Sequence, residues 1–93
     1  MPPNTKSALK RLRSSERRRI RNRMIRTRTR TALKKARVAI AEDAMAPTTE
    51  AAIRQAVSAL DRAVTKGVLH RNNAARRKAR LMHRLARMRA EQA

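Results

Sequence analysis

The sequence lacks several residue types that most small proteins use. It has no cysteine and no phenylalanine, tyrosine or tryptophan, and only one glycine and three prolines in 93 residues. Without cysteine the chain forms neither disulfides nor thiolate metal sites, which fits a reducing compartment. Its two histidines do not make a zinc site on their own, and it has no glycine-rich phosphate loop. We therefore expect no metal, no cofactor, no small-molecule substrate and no catalytic role.

Long hydrophobic runs are also missing. The N-terminus lacks the apolar run of a signal peptide, and no window approaches the roughly 20 apolar residues of a membrane span. Eighteen of the hydrophobic residues are alanine, which leaves seven Leu, four Ile, four Val and five Met to build a core. These features predict a cytosolic protein with no membrane partner, folded as a single domain over residues 1–93 with a thin core.

Positive charge is abundant and unevenly distributed. Lys and Arg total 26 against six Asp and Glu, for a net charge of +20. Residues 1–37 hold 15 cations and one acid, residues 38–65 hold two cations and four acids, and residues 66–93 hold nine cations and one acid. Twenty of the cations are arginine, whose planar fork of donors suits phosphate oxygens. We therefore expect a polyanionic partner that contacts the first and third segments, with the middle segment turned away.

The first segment reads as one long helix over about residues 6–46, because it contains no proline or glycine. Asn4 and Thr5 are the candidate N-caps. One apolar stripe at helical spacing begins at Ile25, and a second row lies beside it. The stripe consists of Ile25, Thr29, Ala32, Leu33, Ala36, Ile40 and Ala44; the second row consists of Ile20, Met24, Thr27, Thr31 and Val38. The N-terminal half has no such stripe, so we expect it to project beyond the core.

The Arg-Thr alternation over residues 26–31 has a period of two, which a short strand would also produce. Helix is favoured because both flanks are helical in period and no glycine or proline interrupts the join.

Two shorter helices are predicted downstream. Pro47 ends the first helix, and a second over about residues 48–66 carries an apolar face and ends before Gly67. A third is predicted over about residues 71–90, capped by Asn72 or Asn73, with His70 as a capping or packing residue and a fraying tail. Its apolar side consists of Ala74, Ala75, Ala79, Leu81, Met82, Leu85, Ala86 and Met88, opposite an arginine side. The expected fold is all-α, an antiparallel three-helix bundle with a long, projecting N-terminal helix.

Nucleic acid is the natural polyanion, because neutralising its phosphates releases condensed counterions. Proteins that hold single strands stack bases on aromatic side chains, which this chain lacks. We therefore expect binding to folded, largely double-helical nucleic acid through phosphates, sugars and shape. A basic zipper is excluded, because only Leu33 and Ile40 supply heptads before Pro47. These arguments do not separate RNA from DNA, so a DNA-compacting nucleoid protein is the alternative.

The run from residue 66 to residue 81 resembles a signature of the bacterial small-subunit ribosomal protein S-twenty family. Similarity extends to the N-terminal part, and the sequence departs from the family at Pro2-Pro3 and in the Arg-Thr alternation. The matched N-terminal residues are Asn4, Lys6, Ser7, Ala8, Lys10, Arg11, Ser15, Glu16, Asn22, Thr31, Lys34 and Lys35. Asp61, five residues before the signature, matches as well.

The resemblance implies a structural constituent of the small ribosomal subunit, present there as a monomer. It also implies direct binding to 16S ribosomal RNA, stabilisation of RNA folding during assembly, and a ribosome-bound, cytoplasmic location. The matched positions implied to bind RNA are Lys6, Ser7, Lys10, Arg11, Asn22, Lys34, Lys35, His70, Asn72, Arg76 and Lys78. From the charge pattern we add Arg13, Arg17, Arg18, Arg26, Arg77, Arg80, Arg84 and Arg87.

Overall fold

The computed structural model describes residues 5–93 and consists of three α-helices. These are α1 (Lys6–Glu42), α2 (Pro47–Thr65) and α3 (Arg71–Gln92), and residues 5–93 contain no strand. The all-α prediction is confirmed, and the Arg-Thr segment 26–31 is helical. Thr5 caps α1, because its Oγ1 accepts a 3.1 Å hydrogen bond from the Ala8 amide. The other candidate cap, Asn4, lies outside the described residues.

The helices form an antiparallel bundle in which α2 runs back along α1 and α3 returns beside both. The long axis of the molecule measures 70 Å. α2 has 19 residues and is therefore about 28 Å long, half the roughly 55 Å of the 37-residue α1. The buried residues of α1 begin at Thr29. The N-terminal half of α1 therefore extends beyond the other two helices, as predicted.

α1 ends at Glu42, four residues earlier than the sequence suggested. Asp43 has extended backbone, and its Oδ1 accepts a 3.0 Å hydrogen bond from the Met45 amide. Buried Thr49 secures this turn, because its Oγ1 lies 2.5 Å from the Asp43 carbonyl oxygen and 3.2 Å from that of Ala39. A local side-chain turn thus competes with the helix before Pro47 is reached.

A left-handed glycine joins α2 to α3. Gly67 has φ of 73°, a conformation that is strained for residues with a Cβ atom. The Gly67 amide donates to Val64 and the Val68 amide donates to Ala63, at 3.0 and 2.9 Å. These two bonds satisfy carbonyls in the last turn of α2, which ends before Gly67 as predicted.

The N-cap of α3 is His70 and not an asparagine. Its Nδ1 accepts a 3.1 Å hydrogen bond from the Asn72 amide. The ring nitrogen thereby replaces the usual hydroxyl or carboxylate oxygen at this position. α3 also continues to Gln92, beyond the predicted end near residue 90, because Gln92 is anchored to the connection between α1 and α2.

The core is a single narrow layer. It contains residues from all three helices: Leu33, Ala36, Ile40, Ala44, Ile53, Ala56, Leu60, Ala74, Leu81 and Leu85. On α3 the buried line runs through Ala74, Leu81 and Leu85, so the predicted apolar side was too wide. Ala75, Ala79, Met82 and Ala86 are exposed, as is the second row of α1. Both rows satisfy helical spacing, but neither is buried by a neighbouring helix.

Candidate nucleic-acid interface

Residues 6–23 form an arm, a part of α1 in which no residue is buried. Its large apolar side chains remain in contact with water, with Leu12 at 62% and Ile20 at 55% exposure. Most of the predicted RNA-binding residues of α1 lie here, and all of the following are exposed: Lys6, Ser7, Lys10, Arg11, Arg13, Arg17 and Arg18. The arm has one carboxylate, Glu16, which pairs with Arg19. Nearly all of its cations are therefore available to a ligand.

Asn22 lies at the base of this arm and is half-buried. Its Oδ1 is fully enclosed and has no hydrogen-bond donor among residues 5–93. An enclosed acceptor without a donor is costly. Among the predicted RNA-binding residues, Asn22 therefore differs from the exposed arm cations, because its side chain has a buried acceptor that lacks a donor.

An arginine groove lies on the surface of the bundle, between α1 and α3. Two adjoining hollows, which share Leu33 and Arg77 as lining residues, make up this groove. Its basic residues are Arg26, Arg30 and Arg37 from α1, and Arg77, Arg80 and Arg84 from α3. Arg77 is held in place by a 2.9 Å hydrogen bond from its Nε to Asn73 Oδ1. Six guanidinium groups along one groove favour an extended chain of phosphates.

The opposite flank of α3 is neutralised by α2. Lys78 forms an ion pair with Asp61, and Arg89 lies 3.4 Å from Glu50. Glu50 also lies 3.8 Å from Arg54 on its own helix. Each pair is exposed and weak, yet together they separate the two sides of α3. One side carries internal pairs, and the other presents arginines that have no carboxylate within ion-pair distance in residues 5–93.

The remaining predicted residues are distributed between these surfaces. Arg76 shares a further hollow with Asn73, Arg77 and Arg80, whereas Arg87 is exposed on the same side of α3. Lys34 and Lys35 are exposed on opposite flanks of α1. His70 caps α3 at one end of the bundle, where its Nδ1 accepts the hydrogen bond from the Asn72 amide. Lys78 alone is directed toward α2.

Sequence reasoning missed two groove residues, Arg30 and Arg37. They lie four and eleven positions after Arg26, which is one flank of a helix, so the spacing contained the signal. It also missed the partner of Lys78. Position 78 lies between Ala74 and Leu81 at helical spacing, which places it beside the buried line of α3.

Residues 5–93 contain neither a membrane-spanning helix nor a cluster of metal-ligating side chains. None of the three helices has a stretch that is long and apolar enough to cross a membrane. Within the same residues, no three His, Asp or Glu side chains lie close enough together to hold a metal ion.

Comparison with known proteins gives a consistent result. The profile of the family described as Ribosomal protein S20 matches residues 3–86. A protein of Thermomicrobium roseum named small ribosomal subunit protein bS20 is 56% identical over 85 residues, which cover 88% of this chain and 82% of the relative. A Roseiflexus protein of the same name is 54% identical over 83 residues, covering 89% of each chain. One from Corynebacterium diphtheriae is 47% identical over 85 residues, covering 91% of this chain and 97% of the relative.

The match spans the arm, the bundle and most of α3, so it includes both basic surfaces. Since the profile covers most of the chain and the relatives are about half identical over nearly all of it, this chain belongs to the Ribosomal protein S20 family of the small ribosomal subunit.

Proposed function

We propose that this chain binds 16S ribosomal RNA directly, as a monomeric structural component of the small ribosomal subunit, and stabilises the folding of that RNA during assembly. The family is one of ribosomal proteins and not of enzymes. The protein acts bound to the ribosome in the cytoplasm. It needs no cofactor, because its role is to supply a shaped basic surface.

The observation that carries this proposal is the arginine groove. Its six arginines come from two helices and line two adjoining hollows, whereas Asp61 and Glu50 of α2 pair with Lys78 and Arg89. Self-repulsion among so many cations destabilises the compact state. A phosphate chain in the groove removes that repulsion and accepts bidentate hydrogen bonds from arginine. The same surface therefore binds RNA and is stabilised by it.

The arm extends the interface beyond the bundle. Its exposed cations follow a stretch of helix about 27 Å long in which no residue is buried. Together the arm and the groove can contact RNA segments that are distant in the RNA sequence. Holding two such segments in one arrangement is how the protein would stabilise the folding of the RNA.

A pair of matched variants tests the proposal. Arg80→Ala removes a groove cation, and Arg54→Ala removes an exposed arginine of α2 whose ion-pair partner is Glu50. We expect Arg80→Ala to weaken binding to purified 16S RNA in a filter assay, and to reduce the slope of log affinity against log salt by about 1. Arg54→Ala should leave both unchanged. Equal losses at the two positions would contradict the proposed interface.

A DNA-compacting protein of the nucleoid is the competing function. Sedimentation of a lysate at physiological salt separates the two. We expect the protein to travel with small ribosomal subunits, and recovery with the nucleoid instead would overturn the proposal.

A further inference from the structure

The outer face of α1 is unexplained by the arginine groove. It consists of Ile20, Met24, Thr27, Thr31 and Val38, which follow one another at helical spacing on the side of α1 turned away from the core. Ile20, Met24 and Val38 are 55%, 51% and 47% exposed. In a helix dense with arginine, this face has no charge.

Two rows of cations border this uncharged face. Arg23, Arg30 and Lys34 lie on one side of it, and Arg21, Arg28 and Lys35 lie on the other. All six are exposed, and the two rows are separated by roughly 140° around the helix at about 100° per residue. The outer face is therefore a neutral strip with positive charge along both edges.

The Arg-Thr alternation over residues 26–31 produces this pattern. In a helix it places Thr29 in the core, where its Oγ1 donates a 2.8 Å hydrogen bond to the Ile25 carbonyl oxygen. Thr27 and Thr31 then lie on the outer face, and Arg28 and Arg30 lie on its two sides. An alternation that is typical of a strand thus gives the helix a core side, an uncharged outer side and arginines between the two.

We infer that the outer face of α1 lies in the minor groove of an RNA double helix, a statement that rests on the proposed function and specifies one of its contacts. The minor groove of A-form RNA is wide and shallow, with uncharged ribose and 2′-hydroxyl groups on its floor and a phosphate strand on each side. Threonine hydroxyls and aliphatic side chains match that floor. The two cation rows match the two phosphate strands.

The dimensions favour RNA over DNA. An α-helix with its side chains is about 10–12 Å across, whereas the minor groove of B-form DNA is only about 6 Å wide. A protein occupant is disfavoured, because three separated apolar side chains do not make a continuous apolar face, and the partner would have to supply acids along both edges.

Directed cleavage tests the inference, and the absence of native cysteine makes single-cysteine variants straightforward. Thr31→Cys carries an iron chelate on the outer face, His83→Cys carries one on the arginine side of α3, and Ser58→Cys carries one on the exposed side of α2. Each labelled protein is bound to purified 16S RNA before hydroxyl radicals are generated. From Thr31→Cys we expect cuts in two RNA segments that are paired with each other, offset toward the 3′ side of each strand as a minor-groove source requires. From Ser58→Cys we expect weak or no cleavage.

Several results would overturn the inference. These are cuts offset toward the 5′ side, cuts in unpaired RNA only, or no cuts from Thr31→Cys while His83→Cys still cleaves. The last result leaves the proposed function intact. If none of the labelled proteins is retained on RNA in a filter assay, while the unlabelled wild-type chain also fails, the proposed function is wrong as well.

Charge-matched variants supply a second measurement. Thr31→Glu and Ser58→Glu each add one carboxylate to an exposed helical position. A carboxylate on the groove floor is desolvated without a partner, so Thr31→Glu should weaken 16S RNA binding by about tenfold or more. Ser58→Glu reports the effect of net charge alone and should change binding far less. Equal effects, with helicity unchanged by circular dichroism, would exclude the outer face from the interface.

Discussion

The amide of Ala44, in the connection between α1 and α2, donates a 2.8 Å hydrogen bond to Oε1 of Gln92, the last residue of α3. Ala44 is fully buried, and its carbonyl oxygen accepts a 3.2 Å hydrogen bond from Arg89 Nε. Both backbone polar groups of a buried residue are thus satisfied by side chains of the C-terminal helix. The end of α3 closes the bundle at the point where α1 turns into α2.

Gln92→Ala should therefore destabilise the bundle. It leaves the buried Ala44 amide without an acceptor, at a cost of about 1 kcal/mol, which lowers the melting temperature of a domain this size by about 4–8 °C. Thermal unfolding followed by circular dichroism measures the change. Gln92→Glu keeps an acceptor and should restore most of the loss, and Gln55→Ala on α2 controls for loss of an exposed glutamine. Equal melting temperatures for Gln92→Ala and Gln55→Ala would show that the contact contributes nothing.

RNA affinity should fall steeply with salt. If six to ten phosphates are neutralised, binding should lose about 10³–10⁵-fold between about 50 and 200 mM salt, linearly on logarithmic axes. A filter-binding titration of wild-type protein on 16S RNA measures the slope. A nearly flat dependence would exclude phosphate contacts as the main source of affinity.

Asp61→Asn should strengthen RNA binding. Asp61 holds Lys78 in an exposed ion pair. Removing the Asp61 carboxylate frees Lys78, a position implied by the family resemblance to bind RNA, to contact a phosphate. We expect the slope of log affinity against log salt to steepen by about 0.9, the contribution of one additional phosphate. Glu42→Gln is the control, because it removes an exposed acid at the end of α1, outside the ion pairs between α2 and α3. The prediction fails if the two variants behave alike.

The arm should be flexible in the free protein and helical on RNA. Its apolar side chains are exposed, and Arg17–Arg21 and Arg19–Arg23 are repelling neighbours four residues apart. A helix without packing is marginal, and RNA that binds only the helical form shifts the equilibrium toward it. Amide hydrogen exchange with and without 16S RNA measures this. Protection of residues 6–23 equal to that of residues 53–64 before RNA is added would contradict coupled folding.

Much of this fold was predictable, because it depends on local chemistry. An uninterrupted charged segment, a proline at the start of α2 and a glycine after its end define three helices. The end of α1 was not predictable from those signals, because it is set by Asp43 and Thr49 contacting backbone that only the folded turn brings near.

The faces of the helices were harder to predict than the helices themselves. On α3, Met82 and Ala86 satisfy helical spacing as well as Leu81 and Leu85 do, and burial depends on which row α2 covers. The pairing of Lys78 with Asp61 and the joining of Arg37 to Arg84 depend on how the helices are docked. The distribution of charge along the sequence identified the two basic helices but did not indicate which arginines share a groove.

α1 continues without a break from Lys6 to Glu42. The distance along the helix and the rotation around it are therefore fixed for any two of its residues. When the arm is helical, each residue between it and the arginine groove sets a spacing of about 1.5 Å and a rotation of about 100°. Removing one residue near position 24 would turn every arm cation by that angle relative to the groove. Removing seven would nearly restore the angle while shortening the reach by about 10 Å. The length of α1 therefore sets both the distance and the orientation between the arm and the arginine groove.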